Sequence, residues 1–179
     1  MVSAGSTAGT ICIHQYEVHQ EGNGALRSEA GLEPSKVTWN QAREACEAAG
    51  WRLCRSQEWE DACDGVAGAG GQTYPTRKDQ SGPGVCAIGD LSSLVRIPLA
   101  LTGSFSACRS PAGAMDMMGN LWEWTDPQDK DEAGQWRIDK RGGGHYGAEA
   151  VPCSYRSVGS HSPDFEGTIG FRCCVDSQR

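Results

Sequence analysis

The sequence has few large aliphatic and phenyl side chains. Leu, Ile, Val and Phe together make up only about 15% of its 179 residues, a fraction typical of disordered chains when the net charge is also high. The net charge is only −7, however, and the chain carries six Trp and nine Cys. These values predict an ordered single domain. Its lean aliphatic core must be supplemented by aromatic side chains, cross-links or a bound ion.

Long apolar runs and basic clusters are also missing. Arg96 and Pro98 interrupt the most apolar segment, residues 92–101, which falls short of the roughly 18 residues that a membrane helix needs. No run of Lys and Arg is longer than a pair, and the acidic balance excludes a domain-wide basic field. The N-terminus shows neither the charged start nor the apolar run of a secretion signal. We therefore expect neither a nucleic-acid partner nor insertion into a membrane.

The cysteines do not follow the spacing of a structural zinc site, because the sequence has no CxxC and its four His are scattered. Nine Cys in so short a chain are many for a reducing cytosol, which favours disulfides over buried free thiols. Their odd number leaves at least one thiol unpaired or paired with another chain. The cysteine content predicts an oxidising location, which is extracellular, on a cell surface or on a virion surface.

The residue patterns predict an α+β fold with two early helices, later short strands and long loops. Thr38 begins the first helix, with Gln41 three residues on as in a capping box, and Gly50 ends it. A second helix is predicted over residues 56–63. The predicted strands are 10–19, 52–54, 121–125, 136–142 and 168–175.

Six short motifs follow one another along the chain. They are Tyr16-Glu17-Val18; Val37-Thr38-Trp39 with Ala42 and Cys46; Gly50-Trp51-Arg52-Leu53 with Glu58-Trp59-Glu60; Gly119-Asn120-Leu121-Trp122-Glu123-Trp124; Arg141-Gly142-Gly143; and Gly170-Phe171-Arg172. In this order they resemble the formylglycine-generating-enzyme, or sulfatase-modifying-factor, domain family. The resemblance implies one domain over residues 10–176, with terminal tails at 1–9 and 177–179. It implies a C-type-lectin-like fold: a small twisted antiparallel sheet, two helices, long irregular loops and termini brought together.

The resemblance also implies how the cysteines pair. The disulfides carried over from the family are Cys46–Cys173 and Cys63–Cys153. Cys86 and Cys108 bracket the most apolar segment and are a third candidate pair. Because the terminal strands pair in this fold, Cys12–Cys174 is a further candidate, and the pairing of Cys54 stays open.

The family's enzymes oxidise a substrate cysteine to formylglycine with copper. Two cysteines, five residues apart in the loop after Arg-Gly-Gly, hold the ion, because soft thiolates suit Cu(I). In this chain the loop contains one cysteine, Cys153, which the resemblance already pairs with Cys63. The serine that follows Arg-Gly-Gly in the enzymes is replaced by Gly144. We therefore expect no copper and no catalysis, with a formylglycine-generating-type oxidase of altered active site as the alternative function.

A non-catalytic use of the fold is the preferred reading. The variable proteins of diversity-generating retroelements resemble this domain and display a heavily mutated C-terminal segment, which here is about residues 145–168. Its Tyr, His and Phe among Gly and Ser resemble the adaptable contacts of an antibody combining site. We expect a protein or cell-surface ligand. The predicted contact residues are His145, Tyr146, Ala148, Glu149, Val158, Ser160, His161, Asp164, Phe165, Glu166 and Thr168.

The same resemblance implies one structural calcium site. In the family, a hard cation is held by a side-chain oxygen three residues before the Gly-Asn motif, by two carbonyls and by the motif's glutamate. The matching residues here are Asp116, Gly119, Leu121 and Glu123. Calcium takes roughly 6–8 oxygen ligands, so two carboxylates and two carbonyls need added waters.

Overall fold

The computed structural model describes residues 1–6, 9–65, 73–76, 82–89, 97–127, 130, 132, 134, 136–145, 150–158 and 168–176. Two α-helices and ten short β-strands form in this part of the chain, which confirms the predicted α+β class. The helices are α1 (Trp39–Ala48) and α2 (Ser56–Asp64). The strands are β1 (Val2–Ser6), β2 (Gly9–Ile13), β3 (His19–Gln20), β4 (Leu26–Arg27), β5 (Arg52–Leu53), β6 (Trp122–Thr125), β7 (Asp139–Arg141), β8 (Ser157–Val158), β9 (Ile169–Phe171) and β10 (Cys173–Asp176).

Helix α1 begins where the sequence places its cap. The Thr38 hydroxyl accepts the Gln41 backbone N–H at 3.2 Å, and the Gln41 side chain accepts the Thr38 N–H at 2.9 Å. The predicted capping box is thus confirmed. Gly50 follows the helix at φ 77°, a conformation that glycine adopts without strain. The buried face of α1 consists of Trp39, Ala42, Ala45 and Cys46.

The first sheet has the strand order β1-β2-β10-β5, with every neighbouring pair antiparallel. Pairing of β2 with β10 joins the two ends of the domain, as the resemblance implied. The prediction that residues 1–9 are a tail is wrong for β1, because Val2 pairs with Ile13 and Ser6 with Gly9. The sequence Ser-Ala-Gly-Ser has low strand propensity, which concealed this edge strand.

Two predicted strands are interrupted where they meet Arg172. The strand predicted over 10–19 ends at Ile13, and the one predicted over 168–175 divides into β9 and β10 on either side of Arg172. The carbonyls of His14 and Gln15 accept Arg172 Nη1 at 3.2 and 2.8 Å. These main-chain acceptors therefore serve a buried guanidinium rather than a neighbouring strand. The strand predicted over 136–142 is shorter as well, and extends only over β7.

The second sheet has the strand order β8-β7-β6-β9, with β6 and β9 parallel and the other pairs antiparallel. The short strands β3 and β4 pair separately. Because β7 runs opposite to its neighbours, β6, β8 and β9 begin at the end of the sheet where β7 finishes. We call this end, marked by Trp122, Arg141, Ser157 and Ile169, the loop end.

Four disulfides cross-link the described residues. Three are the predicted pairs, Cys46–Cys173, Cys63–Cys153 and Cys86–Cys108. The candidate pair Cys12–Cys174 is wrong: Cys174 bonds Cys54, and Cys12 is a free thiol. In the pairing of β2 with β10, Cys12 lies opposite Val175 and not opposite Cys174. On the other edge of β10, Cys174 lies opposite Arg52 of β5, and Cys54 directly follows this strand.

The core combines these cystines with large aromatic side chains, as the scarcity of aliphatics predicts. Trp59, Trp124 and Phe171 are each at most 1% exposed. The four disulfides fit an oxidising environment. Neither helix is long and apolar enough to cross a membrane, as judged over the described residues.

Candidate functional site

The Arg-Gly-Gly segment leaves β7 at the loop end and turns back over the sheet. Gly142 and Gly143 have φ of 89° and 73°, in the left-handed region that favours glycine. A Cβ on Gly142 would lie 3.2 Å from the Trp59 ring, and a Cβ on Gly144 would lie 3.0 Å from Cδ1 of Trp122. Glycine at these positions therefore allows the main chain to pack directly onto the two indoles.

His145, predicted to contact a ligand, is buried. It is only 2% exposed, its backbone N–H donates to the Asn120 carbonyl at 2.8 Å, and its Nδ1 lies 2.7 Å from the same oxygen. In this structure His145 anchors the start of the loop to the Gly-Asn motif, and its contact with a ligand stays a prediction. Asn120, whose carbonyl oxygen is the acceptor, has a φ of 56°, a left-handed conformation that asparagine tolerates.

Most of the other predicted contact residues lie outside the described part of the chain. These are Tyr146, Ala148, Glu149, Ser160, His161, Asp164, Phe165 and Glu166. The flanking residues are described: Val158 ends β8, opposite Asp139, and Thr168 is half-buried immediately before β9. The structure thus attaches both ends of the segment 159–167 to the second sheet.

An aromatic and cationic patch lies at the loop end and was not predicted from the sequence. The rings of Trp122 and Tyr155 lie 6.1 Å apart, and Lys140 Nζ lies 5.0 Å from the centre of the Trp122 ring. Tyr155 is 51% exposed, and burial lowers the pKa of Lys140 below its usual value. Trp122 stands in a recognised motif, but only the pairing of β6 with β7 and the path of the following loop bring the other two side chains to it. We call these three residues the Trp122 patch.

A buried ion pair joins the Gly-Asn-x-Trp-Glu-Trp motif to Gly-Phe-Arg. Arg172 Nε lies 3.0 and 2.9 Å from the two carboxylate oxygens of Glu123, and both residues are fully buried. Trp59 Nε1 donates to the same carboxylate at 2.8 Å. The Arg172 guanidinium also donates to the carbonyls of His14, Gln15 and Met115. One side chain therefore links both ends of the domain with the central loops.

Two further acids are buried near this pair. Glu17 accepts the Leu121 N–H at 3.0 Å and the Asn120 side-chain amide. Asp116, at φ 59°, accepts the Gly103 N–H at 2.7 Å. Burial raises the pKa of Glu17 well above its ordinary value, and the charges of Asp116 and Glu123 raise it further. Burial also raises the pKa of Asp116 and of Glu123, against the opposing charge of Arg172.

With these contacts in place, the order of the motifs has a structural meaning: Glu17, Trp59, Glu123 and Arg172, which come from four of the six motifs, meet in one buried network. Over residues 14–177 the chain matches the sulfatase-modifying factor enzyme 1-like domain. The chain belongs to this family. The match covers both helices, the second sheet and β10, and it leaves out β1 and β2, which complete the first sheet.

Proteins with a similar domain include one described as inactive. Inactive C-alpha-formylglycine-generating enzyme 2 from Mus musculus is 28% identical over 165 residues, which make up 86% of this chain and 52% of that protein. The chain thus spans about half the length of this relative.

Two solved structures show the same fold. The crystal structure of CarF superposes with a TM-score of 0.69 at 19% identity, covering 95% of this chain and 87% of that one. Treponema denticola variable protein 1 superposes with a TM-score of 0.60 at 16% identity, covering 94% and 85%. The C-type-lectin-like fold of the sulfatase-modifying-factor type, predicted from the motifs, is confirmed.

All nine cysteines of this chain lie among the described residues. Cys153, which lies in the loop where the family's oxidases hold copper, forms a disulfide with Cys63. Of the nine cysteines, eight are in disulfides, and the free one, Cys12, lies on β2 in the first sheet. No two thiolates are left to bind Cu(I) together.

The residues predicted to hold calcium fit that ion in their chemistry, since all supply hard oxygen atoms. Glu17, Asp116 and Glu123 share a buried region with the Arg172 guanidinium, which gives these four groups a formal charge of −2 when the acids are ionised. The Glu123 carboxylate has about four acceptor sites, and Arg172 and Trp59 already make three contacts with it. In the described ranges, no three His, Cys, Asp or Glu side chains are grouped so as to hold a metal ion. A bound calcium would therefore depend mainly on Asp116 and on main-chain carbonyls.

Proposed function

We propose that this domain is non-catalytic and binds a protein or cell-surface ligand at the loop end of its second sheet. The observation that carries the proposal is the disulfide Cys63–Cys153. It consumes the one cysteine of the loop in which the family's oxidases need two. The chain keeps the fold of the family but lacks the pair of thiolates that the oxidation needs. This combination favours a binding role.

The binding surface consists of the predicted contact segment, about residues 145–168, together with the Trp122 patch. Residues 146–149 follow His145, which contacts the Asn120 carbonyl, and residues 159–167 lie between Val158 of β8 and Thr168 next to β9. Tyr and Trp side chains supply large contact areas with little loss of conformational entropy, and an ammonium group adds a charge-assisted donor. We therefore propose that Trp122, Lys140 and Tyr155 contact the ligand together with the predicted contact segment, and that His145 anchors the start of that segment.

The finer proposal is that the contact segment is diversified by a retroelement and displayed outside the cell or on a virion. The solved structure of a protein named variable protein 1, with a similar fold, supports this proposal. Its test is genomic. We expect a reverse-transcriptase gene nearby and a near-copy of the sequence encoding residues 145–172 that differs at adenines. A neighbourhood without either would contradict diversification and leave the binding role standing.

An enzyme assay distinguishes the non-catalytic proposal from the catalytic alternative. Incubated with copper and a cysteine-containing sulfatase peptide, the purified chain is expected to yield no formylglycine above the copper-only control, because no thiolate pair is available to hold Cu(I). Mass spectrometry of the peptide measures this directly. Copper-dependent formylglycine formation would overturn the non-catalytic proposal.

We also propose that calcium binds at Asp116, Gly119, Leu121 and Glu123, where the excess of buried acids supports a cation. Because binding to the folded state alone stabilises it, tenfold or more calcium over its dissociation constant should raise the free energy of unfolding by about 1.4 kcal/mol or more. Melting in calcium and in chelator measures the shift. Asp116→Asn removes one charged ligand and should reduce the shift, whereas Asp64→Asn, at the end of α2, should not.

An equal melting temperature in calcium and in chelator, with no metal found by elemental analysis, would contradict the calcium site. Asp116 and Glu123 would then be buried acids held only by the network around Arg172.

A further inference from the structure

A cleft lies at the other end of the second sheet, away from the loop end. It follows the last residue of β6, since Asp126 comes directly after Thr125. Its volume is about 340 Å³, near the lower limit of the roughly 300–1,000 Å³ found for small-molecule sites. The cleft is lined by Trp39, Arg43, Arg55, Asp126, Pro127 and Trp136. We call it the Trp39–Trp136 cleft.

The lining of this cleft is cationic on an acidic protein. Among the described residues that line it, Arg43 and Arg55 outnumber Asp126, which gives them a formal charge of +1, whereas the whole chain carries −7. Such a local reversal of sign concentrates anions at the cleft and repels cations from it. The guanidinium groups can also bind a carboxylate with two parallel hydrogen bonds, a geometry that lysine cannot offer.

The guanidinium groups of Arg43 and Arg55 have N–H donors that the other described residues do not fully use. Arg43 Nε is buried without a hydrogen-bond partner in the described part of the chain, and the nearby Glu47 carboxylate lies 4.0 Å away. Arg55 Nη1 lies 3.5 Å from Glu58, whose oxygens accept Arg52 at 2.6 and 2.7 Å. Glu58 is therefore satisfied mainly by Arg52, and the guanidinium of Arg55 is only weakly engaged.

Two indoles give the cleft flat apolar walls. Trp39 is 8% exposed and is fixed by its Nε1, which donates to the Thr125 carbonyl at 3.0 Å. The Arg43 guanidinium lies 5.2 Å from the centre of the Trp39 ring, so the charge and the aromatic surface are adjacent. Trp136 is 55% exposed, an unusual exposure for so large an apolar side chain. An occupant with a ring of its own would cover this surface.

We propose that the Trp39–Trp136 cleft binds a small aromatic carboxylate. The charge of +1 matches a single carboxylate, whereas Asp126 opposes a phosphate, which carries nearly two charges at neutral pH. The indoles accept the ring, because aromatic pairs in contact gain more than their buried area alone provides. The cleft is separate from the Trp122 patch, since Trp122 begins β6 and Asp126 follows its last residue.

Benzoate is the probe that tests this proposal on the full chain. We expect saturable binding with a dissociation constant on the order of 1 mM, followed through the indole N–H signals of ¹⁵N-labelled protein. The signals of Trp39 and Trp136, assigned with Trp136→Phe, should shift, while that of Trp122 should not. Acetate, which lacks the ring, and benzyl alcohol, which lacks the charge, should bind far more weakly.

Matched variants separate the cleft from general anion binding. Arg43→Gln removes a charge-assisted donor and should weaken benzoate binding about tenfold. Arg27→Gln removes a charge of similar exposure, 42% against 44%, from β4 rather than from the cleft lining, and should leave benzoate binding unchanged. Equal affinity in the two variants, equal binding of benzyl alcohol, or tighter binding of phenyl phosphate than of benzoate would each overturn the proposal.

Discussion

Replacing Arg172 by methionine is expected to lower the free energy of unfolding by about 3–5 kcal/mol, because it leaves the buried Glu123 carboxylate without its counter-ion. The carbonyls of His14, Gln15 and Met115 lose a donor at the same time. Methionine keeps much of the length of the side chain, so the loss reflects polar contacts more than volume. For a domain of this size the melting temperature should fall by roughly 6–20 °C. Urea unfolding with the disulfides intact measures the change.

The control for this prediction makes the same substitution at an exposed ion pair. Arg27 contacts Glu21 and Glu29 at the surface, where such pairs contribute little, so Arg27→Met should leave the melting temperature unchanged. The double variant Arg172→Met/Glu123→Gln should be more stable than Arg172→Met alone, because one fewer unpaired charge is left buried. Equal stability of Arg172→Met and Arg27→Met would contradict the central role of the buried pair.

The sequence motifs predicted those parts of the domain whose residues act locally or in fixed family positions. The capping box at Thr38 needs only two residues three apart, and the structure forms it. The pairs Cys46–Cys173 and Cys63–Cys153 followed from the resemblance, since no local rule connects cysteines separated by 127 and 90 residues. Both pairs are present, and they confirm the alignment that assigned the loop after Arg-Gly-Gly.

The features that the sequence did not predict lie where distant parts of the chain meet. Strand propensity could not foresee that His14 would give its carbonyl to Arg172 instead of to a neighbouring strand. The burial of His145 likewise depends on the Asn120 carbonyl, 25 residues earlier. The Trp122 patch depends on β6–β7 pairing and on a loop path that no periodicity encodes. Each of these features is a tertiary contact that overrides a local preference.

Removal of the disulfide Cys46–Cys173 is the second change for which we expect a large effect. The bond closes a loop with a sequence separation of 127 residues, for which the chain-entropy relation gives about 5 kcal/mol. Cys86–Cys108 closes a loop of only 22 residues, for which the same relation gives about 3.4 kcal/mol. The variant Cys46→Ala/Cys173→Ala should therefore be destabilised more than Cys86→Ala/Cys108→Ala.

The comparison isolates loop length because all four cysteines are fully buried, so both double variants remove similar buried volume. Non-reducing peptide mapping must first show that the other three bonds are intact in each variant. Urea unfolding then compares the two free energies. A larger loss in Cys86→Ala/Cys108→Ala would contradict the entropic account. It would indicate that the short cross-link carries specific contacts around Met118, whose carbonyl lies 3.6 Å from Cys108 Sγ. The expected order instead makes the long cross-link, which ties α1 to β10, the one that compensates most for a core with so few aliphatic side chains.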